Sequence, residues 1–165
     1  MGKYAQIEYE RRFLLAENLI HLPLLGQKSI EDHYILQSEL RLRKMSNAQS
    51  CTFKLTQKKP LTKGDLALHE ITTIYLTAGT YQQFLKSLPS IPLRKTRRYY
   101  QVGQHRVGVD EILIGTQAYF IMEVEFESAA SMQDFPVYGT EVTQTPAYSG
   151  FSLAQQQLQH ERSKK

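Results

Sequence analysis

The sequence predicts an α+β chain, mainly β: an eight-stranded antiparallel closed β-barrel, a tunnel with a charged lumen and helices packed outside. Three observations lead there. Alternation of period two, the mark of strands, dominates the chain. About eight such segments fall within 165 residues, a length suited to one domain with a real core. The polar side of segment after segment carries charge, where an ordinary sheet would show assorted small polar residues. A sandwich needs apolar inward faces. A barrel with a wet, charged interior and an apolar outer wall accommodates both rows.

The first strand is expected over 4–15, where Glu8, Glu10 and Arg12 share one face and Ile7, Tyr9 and Phe13 the other. A short helix is expected near 17–25, limited by Pro23. Further strands are expected at 33–37, 39–45, 51–57, 67–76, 92–101, 105–114 and 119–127. Asn47–Ser50 and Gly103-Gln104 read as hairpin turns. Lys58–Asp65, with Pro60 and Gly64, reads as a longer basic loop, solvated and suited to drawing in an anion. Thr77 is the expected N-cap of a helix through Leu88, ended by Pro89, with Tyr81, Phe84, Leu85 and Leu88 on one face. Ser128 is expected to cap a short helix toward Phe135. Ser149 or Ser152 opens a last helix through about Leu158. The whole chain, 1–165, reads as one domain with a core over about 4–158 and a loose tail over 159–165.

Composition narrows the setting. With 41% hydrophobic and 22% charged residues a disordered chain is excluded. A net charge of +4 favours anionic partners without choosing among them. The single cysteine, Cys51, excludes an internal disulfide and a multi-cysteine zinc site. No apolar run approaches the ~20 residues of a membrane span, and the first residues lack a secretory apolar core. A cytoplasmic protein without a membrane partner is expected.

Two rows carry the chemistry. Glu8 with Glu10, and Glu123 with Glu125, place four carboxylates on strand faces backed by apolar rows. Carboxylate oxygens suit Mg2+ or Mn2+, whereas the chain lacks clustered thiolates or imidazoles for softer metals. Asp110 and Glu70 are further acidic candidates. Arg41 and Arg43 alternate with leucines, Lys54 lies between Phe53 and Leu55, and Lys95 and Arg97 share a face. Guanidinium groups grip phosphate oxygens in pairs, and ammonium groups add compact charge. Confined together they match an elongated polyanion. A basic outer patch for nucleic acid is the competing reading, but stacking platforms need aromatics on the same face as the cations, and no nucleic-acid partner is expected. The five histidines show no ligand spacing and are expected on the surface or in loops.

The order of motifs resembles the CYTH, or triphosphate tunnel metalloenzyme, superfamily. Glu8-Tyr-Glu10-Arg-Arg12 is similar to its Glu-x-Glu-x-Lys signature, with arginine at the lysine position. Tyr34-Ile-Leu, Glu39-Leu-Arg41-Leu-Arg43, Thr52-Phe-Lys54, Lys95-Thr-Arg97, Val109-Asp110, Glu123-Val-Glu125 and Glu141-Val-Thr143 with Tyr148 and Leu153 follow in the family's order. The resemblance spans roughly residues 6–154. It implies hydrolysis of a triphosphate, most simply inorganic triphosphate, with Mg2+ or Mn2+ held by Glu8, Glu10, Glu123, Glu125 and Asp110. Arg12, Arg41, Arg43, Lys54, Lys95 and Arg97 would hold the phosphates, and Tyr34 would orient Lys95 as a base, its pKa lowered by neighbouring cations. The expected partner is a small triphosphate or nucleoside triphosphate. Thiamine triphosphatase, class IV-like adenylate cyclase and a non-catalytic polyphosphate- or nucleotide-binding module are the alternatives. A homodimer is a further expectation.

Overall fold

In a computed structural model, which describes residues 2–19 and 21–164, eight long strands form one antiparallel sheet. They are β1 (Gln6–Leu15), β2 (Leu24–Ile35), β3 (Leu40–Ser46), β4 (Cys51–Pro60), β5 (Leu68–Leu76), β6 (Ser90–Val102), β7 (His105–Ile114) and β8 (Gln117–Phe126). Around the sheet the order is β5-β4-β3-β2-β6-β7-β8-β1, every pair antiparallel, and β1 pairs with β5 to close the barrel. A two-residue β9 (Thr140–Glu141) adds to β1 beyond the reach of β5. Closure leaves no long free edge.

Local chemistry explains the joints. Asn47 Oδ1 accepts from the backbone N–H of Gln49 and Ser50 at 3.0 and 2.9 Å, which turns β3 into β4. Gly103 turns β6 into β7 at φ 57°, a region a side chain would strain. The helices α1 (Ala78–Ser87), α2 (Ala129–Asp134) and α3 (Gly150–Arg162) are capped by Thr77, Ser128 and Ser149.

The apolar rows find two kinds of cover. Outside, α1 lays Tyr81, Phe84 and Leu85 on Leu42, Phe53 and Leu55. Phe135 packs on Phe13, Met122, Val124 and Phe126, with Met132 of α2 against the same cluster. The third helix behaves differently from expectation. Leu153 and Ala154 of α3 pack on Leu93, Ile112 and Ile121, with Leu14, Tyr34, Ile91 and Ile114 around them. These strand residues have the parity of the charged rows, so the helix seals one end of the lumen. Gly150 allows this approach, because a Cβ there would fall 1.8 Å from Tyr34 Oη.

Three expectations are corrected. The segment expected as a helix near 17–25 has none among the described residues (Ile20 lies outside them), and a twelve-residue strand starts at Leu24. Gly26 is a poor helix former, and the long ladder to β6, from Leu24↔Tyr100 to Ile35↔Ser90, overrides local preference. Lys58 and Lys59 belong to β4, paired with Ile71 and Glu70. The expected tail over 159–165 is helical through Arg162, with Lys165 outside the described residues. Among the described residues no helix is long and apolar enough to cross a membrane.

Leu153 is 2% exposed at the centre of the plug. Leu153→Ala is expected to lose about 2–5 kcal/mol of folding stability, measured by chemical denaturation. A loss below about 1 kcal/mol would show that α3 seals nothing.

Candidate active site

The inward rows converge on one cavity of about 290 Å³, lined among others by Glu8, Glu10, Arg12, Arg41, Arg43, Lys58, His69, Lys95, Arg97, Glu123 and Glu125. A wider mouth of about 610 Å³ at the β6–β7 end shares Arg97, Glu123 and Glu125 with it and adds Tyr99, Arg106 and Glu127. In this cavity β1, β3, β4 and β6 supply cations, and β1 and β8 line it with glutamates.

Two interior carboxylates hold the cations in place. Asp32 on β2, fully buried, accepts from Arg43 Nε and a terminal nitrogen at 2.5 and 2.8 Å, with Arg41 Nε at 3.7 Å and Lys95 Nζ at 3.8 Å. Burial alone would raise its pKa, but Arg43 and Arg41 outweigh it and hold the carboxyl well below its ordinary range. Asp110 on β7, 1% exposed, accepts from Lys95 Nζ at 2.5 Å and from Arg97 at 2.6 and 2.7 Å. Both its oxygens serve cations, because Asp110 is Arg97's register partner on the adjacent strand. Gly108 gives the Arg97 stem room: a Cβ there would press on Arg97 Cδ at 3.0 Å.

The acidic side is set by the β1–β8 ladder, which pairs Glu10 with Glu125 and Arg12 with Glu123. Glu123 accepts from Arg97. Its burial would raise its pKa, yet Arg97, Lys95, Lys58 and Arg12 together drive it well below the carboxylate range. Lys58 Nζ bridges Glu8 and Glu10 at 2.6 and 2.9 Å. Burial opposes the ammonium, but Glu10 and Glu8 outweigh that and keep it charged. Glu8 is pushed up to about 7, first by burial and then by Glu10 and Glu125, with Lys58 pulling the other way. Glu8 and Glu10 thus share the Lys58 ammonium, with Arg12 Nε 3.4 Å from Glu10 and Glu125 adjoining Glu10 across the ladder.

Several side chains sit otherwise than the sequence suggested. Arg12 donates to the carbonyls of Tyr148 at 2.9 Å and Thr143 at 3.1 Å, so it fastens the segment after β9 to the barrel. The planar guanidinium sends a separate terminal nitrogen to each carbonyl. Lys54 lies 5.1 Å from the Tyr75 ring centroid and does not line the cavity; β4 sends Lys58 there instead. Tyr34 faces the cavity with its ring against Phe151, at 6.0 Å between centroids. Glu70 points outward and accepts from the Gly2 N–H. The histidines are not all peripheral. His33 is buried between Glu31 and Ser90, and His69 is buried in the cavity wall opposite Glu8, with Nδ1 unpartnered. Burial first, then Lys58 and Arg12, lower the His69 pKa to about 4, so the ring is neutral. Period-two parity from Lys54 would have put Lys58 inside.

Do these residues fit a divalent cation? As the side chains stand, no three acidic or histidine groups among the described residues converge tightly enough to hold one. The donor chemistry does fit. Glu8, Glu10 and Glu125 offer only oxygens, the type Mg2+ and Mn2+ prefer, and a cation already sits between two of them.

No protein-family model and no curated protein matches the sequence. Among solved structures the chain is similar to the inorganic triphosphatase NE1496, with 20% identity, 88% of this chain and 96% of that chain covered, and a TM-score of 0.56. It is similar to bh2851 from Bacillus halodurans, a candidate adenylate cyclase, at 18% identity over 79% and 86% of the two chains with a TM-score of 0.59. A chain of the Schizosaccharomyces pombe Mediator head module matches at 11% identity, 96% and 93% coverage and a TM-score of 0.53. These likenesses show that the closed antiparallel barrel is shared with solved structures. Architecture shared by proteins so differently named does not select an activity.

His69 generates a pH prediction. Its folded pKa lies below the ordinary 6.5, so the unfolded chain binds the proton more readily. Its contribution is full above pH ~6.5 and is lost as pH falls toward 4. Denaturation midpoints between pH 7 and 4.5 should fall less steeply for His69→Gln than for the wild type. Parallel profiles would contradict a buried neutral imidazole.

Proposed function

We propose that this chain is a divalent-metal-dependent triphosphatase that hydrolyses a phosphoanhydride bond, with inorganic triphosphate its simplest substrate. The observation that carries the reading is the meeting of Arg41, Arg43, Lys95 and Arg97 with Glu8, Glu10, Glu123 and Glu125 in one narrow cavity. Anion binding alone gains nothing from carboxylates that repel phosphate. A site that also takes a cation does.

Glu8, Glu10 and Glu125 would hold Mg2+ or Mn2+, with Glu123 beside them; Asp110 stays with Lys95 and Arg97. The bound ion would supply charge neutralisation at the terminal phosphate oxygens. Arg41, Arg43 and Arg97 bind and align the phosphates along the barrel, fixing the line of attack. Lys95, held by Asp110, supplies positive charge near the reacting phosphoryl group, and we assign it positioning ahead of proton transfer. The apolar packing of α3 narrows that end, and we place substrate entry at the wider mouth. We place the reaction in the cytoplasm, in keeping with one exposed free cysteine.

A second reading has its own observation. The 610 Å³ mouth, with Arg106 4.2 Å from the Tyr99 ring centroid, has room and a planar stack for an organic group on the triphosphate. That favours a nucleoside or thiamine triphosphate, cleaved or cyclised, over the inorganic ion.

The purified protein, incubated with Mg2+ or Mn2+ and triphosphate, ATP or thiamine triphosphate, is expected to release phosphate. Glu10→Gln should lower kcat by about 10²–10³-fold. Cyclic AMP with pyrophosphate would support the cyclase, and tight binding without turnover a non-catalytic module.

A further inference from the structure

We propose that Lys58 is a built-in competitor for the metal: its ammonium holds the Glu8–Glu10 pair until a divalent cation displaces it, and it then turns to the substrate phosphates. This inference rests on the triphosphatase reading. The geometry that points to it is the double contact of Lys58 Nζ, 2.6 Å from Glu8 Oε1 and 2.9 Å from Glu10 Oε2, the place a cation shared by the two carboxylates would take. Lys58 stands on β4, across the cavity from the cations of β6, and lines the same cavity as Arg41 and Arg43 of neighbouring β3. Its four-carbon stem lets the ammonium change partners without moving the strand.

Charge balance inside the barrel dictates the consequence. A metal arriving alone takes both carboxylates and leaves Lys58 charged, buried and unpaired, which is unfavourable. A polyanion arriving alone finds Lys58 already tied to acids. When both arrive, the carboxylates hold the metal, with Glu125 adjoining Glu10 across the ladder, and Lys58 pairs with phosphate. Metal and substrate thus bind interdependently through one side chain.

The test uses Mn2+ alone, without phosphate, so that metal–triphosphate complexes in solution do not enter. Calorimetric titration of wild type, Lys58→Met and Lys58→Arg should show Lys58→Met binding Mn2+ about tenfold or more tightly, since a like charge a few ångströms away has gone. Lys58→Arg, which keeps the charge, should stay near wild type. In the wild type, labelling of Lys58 by an amine-reactive reagent, read by mass spectrometry, should rise several-fold when Mn2+ is added. That second measurement needs no variant and holds even where Lys58→Met fails to fold. Equal Mn2+ affinity in wild type and Lys58→Met, or labelling unchanged at saturating Mn2+, overturns the exchange while leaving the metal site standing. No Mn2+ binding in any form overturns the metal reading itself, and the exchange with it.

Discussion

Asp32 and Asp110 decide whether the barrel can exist with such an interior. Arg41, Arg43, Lys95 and Arg97 point into one cavity, and four cations so confined would repel one another and lose most of their water. Each aspartate lies on a strand next to the cations it serves, Asp32 opposite Arg43 and Asp110 opposite Arg97. The bidentate geometry at Arg43 and Arg97 is the kind that repays part of the desolvation of buried charges. The aspartates orient the guanidinium planes and leave the remaining donors free toward the cavity. A polyanion would meet a wall already assembled, as the proposed positioning of phosphates requires.

The opposite wall works by a different balance. Glu8, Glu10 and Glu125 outnumber their local cations, Lys58 and Arg12, while Glu123 is drawn into Arg97's field. One side of the lumen is thus short of negative charge and the other short of positive. A metal ion paired with a phosphate chain corrects both at once. Arg12 adds the frame: by gripping the carbonyls of Thr143 and Tyr148 it anchors the segment that leads into α3, whose apolar face closes the far end.

Much of this was legible in the chain, and the failures have physical causes. Period-two alternation is a local signal, so the Glu8–Glu10 and Glu123–Glu125 faces and the Arg41–Arg43 row could be read directly. The start of β2 could not, because Leu24-Leu25-Gly26 shows no alternation and owes its conformation to a partner more than seventy residues away. Pro60 and Gly64 suggested a loop and hid Lys58, although Lys54, Thr56 and Lys58 keep one parity. Lone histidines carry no spacing signal, so His69 became visible only through its pairing opposite Glu8. Asp32 was passed over between Glu31 and His33; the face it shares with Tyr34 marks it as internal. On β5, Glu70 follows inward-facing His69 and so lies on the outer face.

If the interior aspartates stand where the phosphates of the proposed substrate would bind, the stability of Asp32→Asn will show it. Chemical denaturation with and without saturating inorganic triphosphate compares the variant with wild type. Removing one partner of a buried ion pair should lower stability by about 3–5 kcal/mol, and triphosphate should restore more stability to the variant than it adds to wild type, because it meets the orphaned Arg43 and Arg41. A variant as stable as wild type, or one that triphosphate stabilises no more than wild type, would contradict the account.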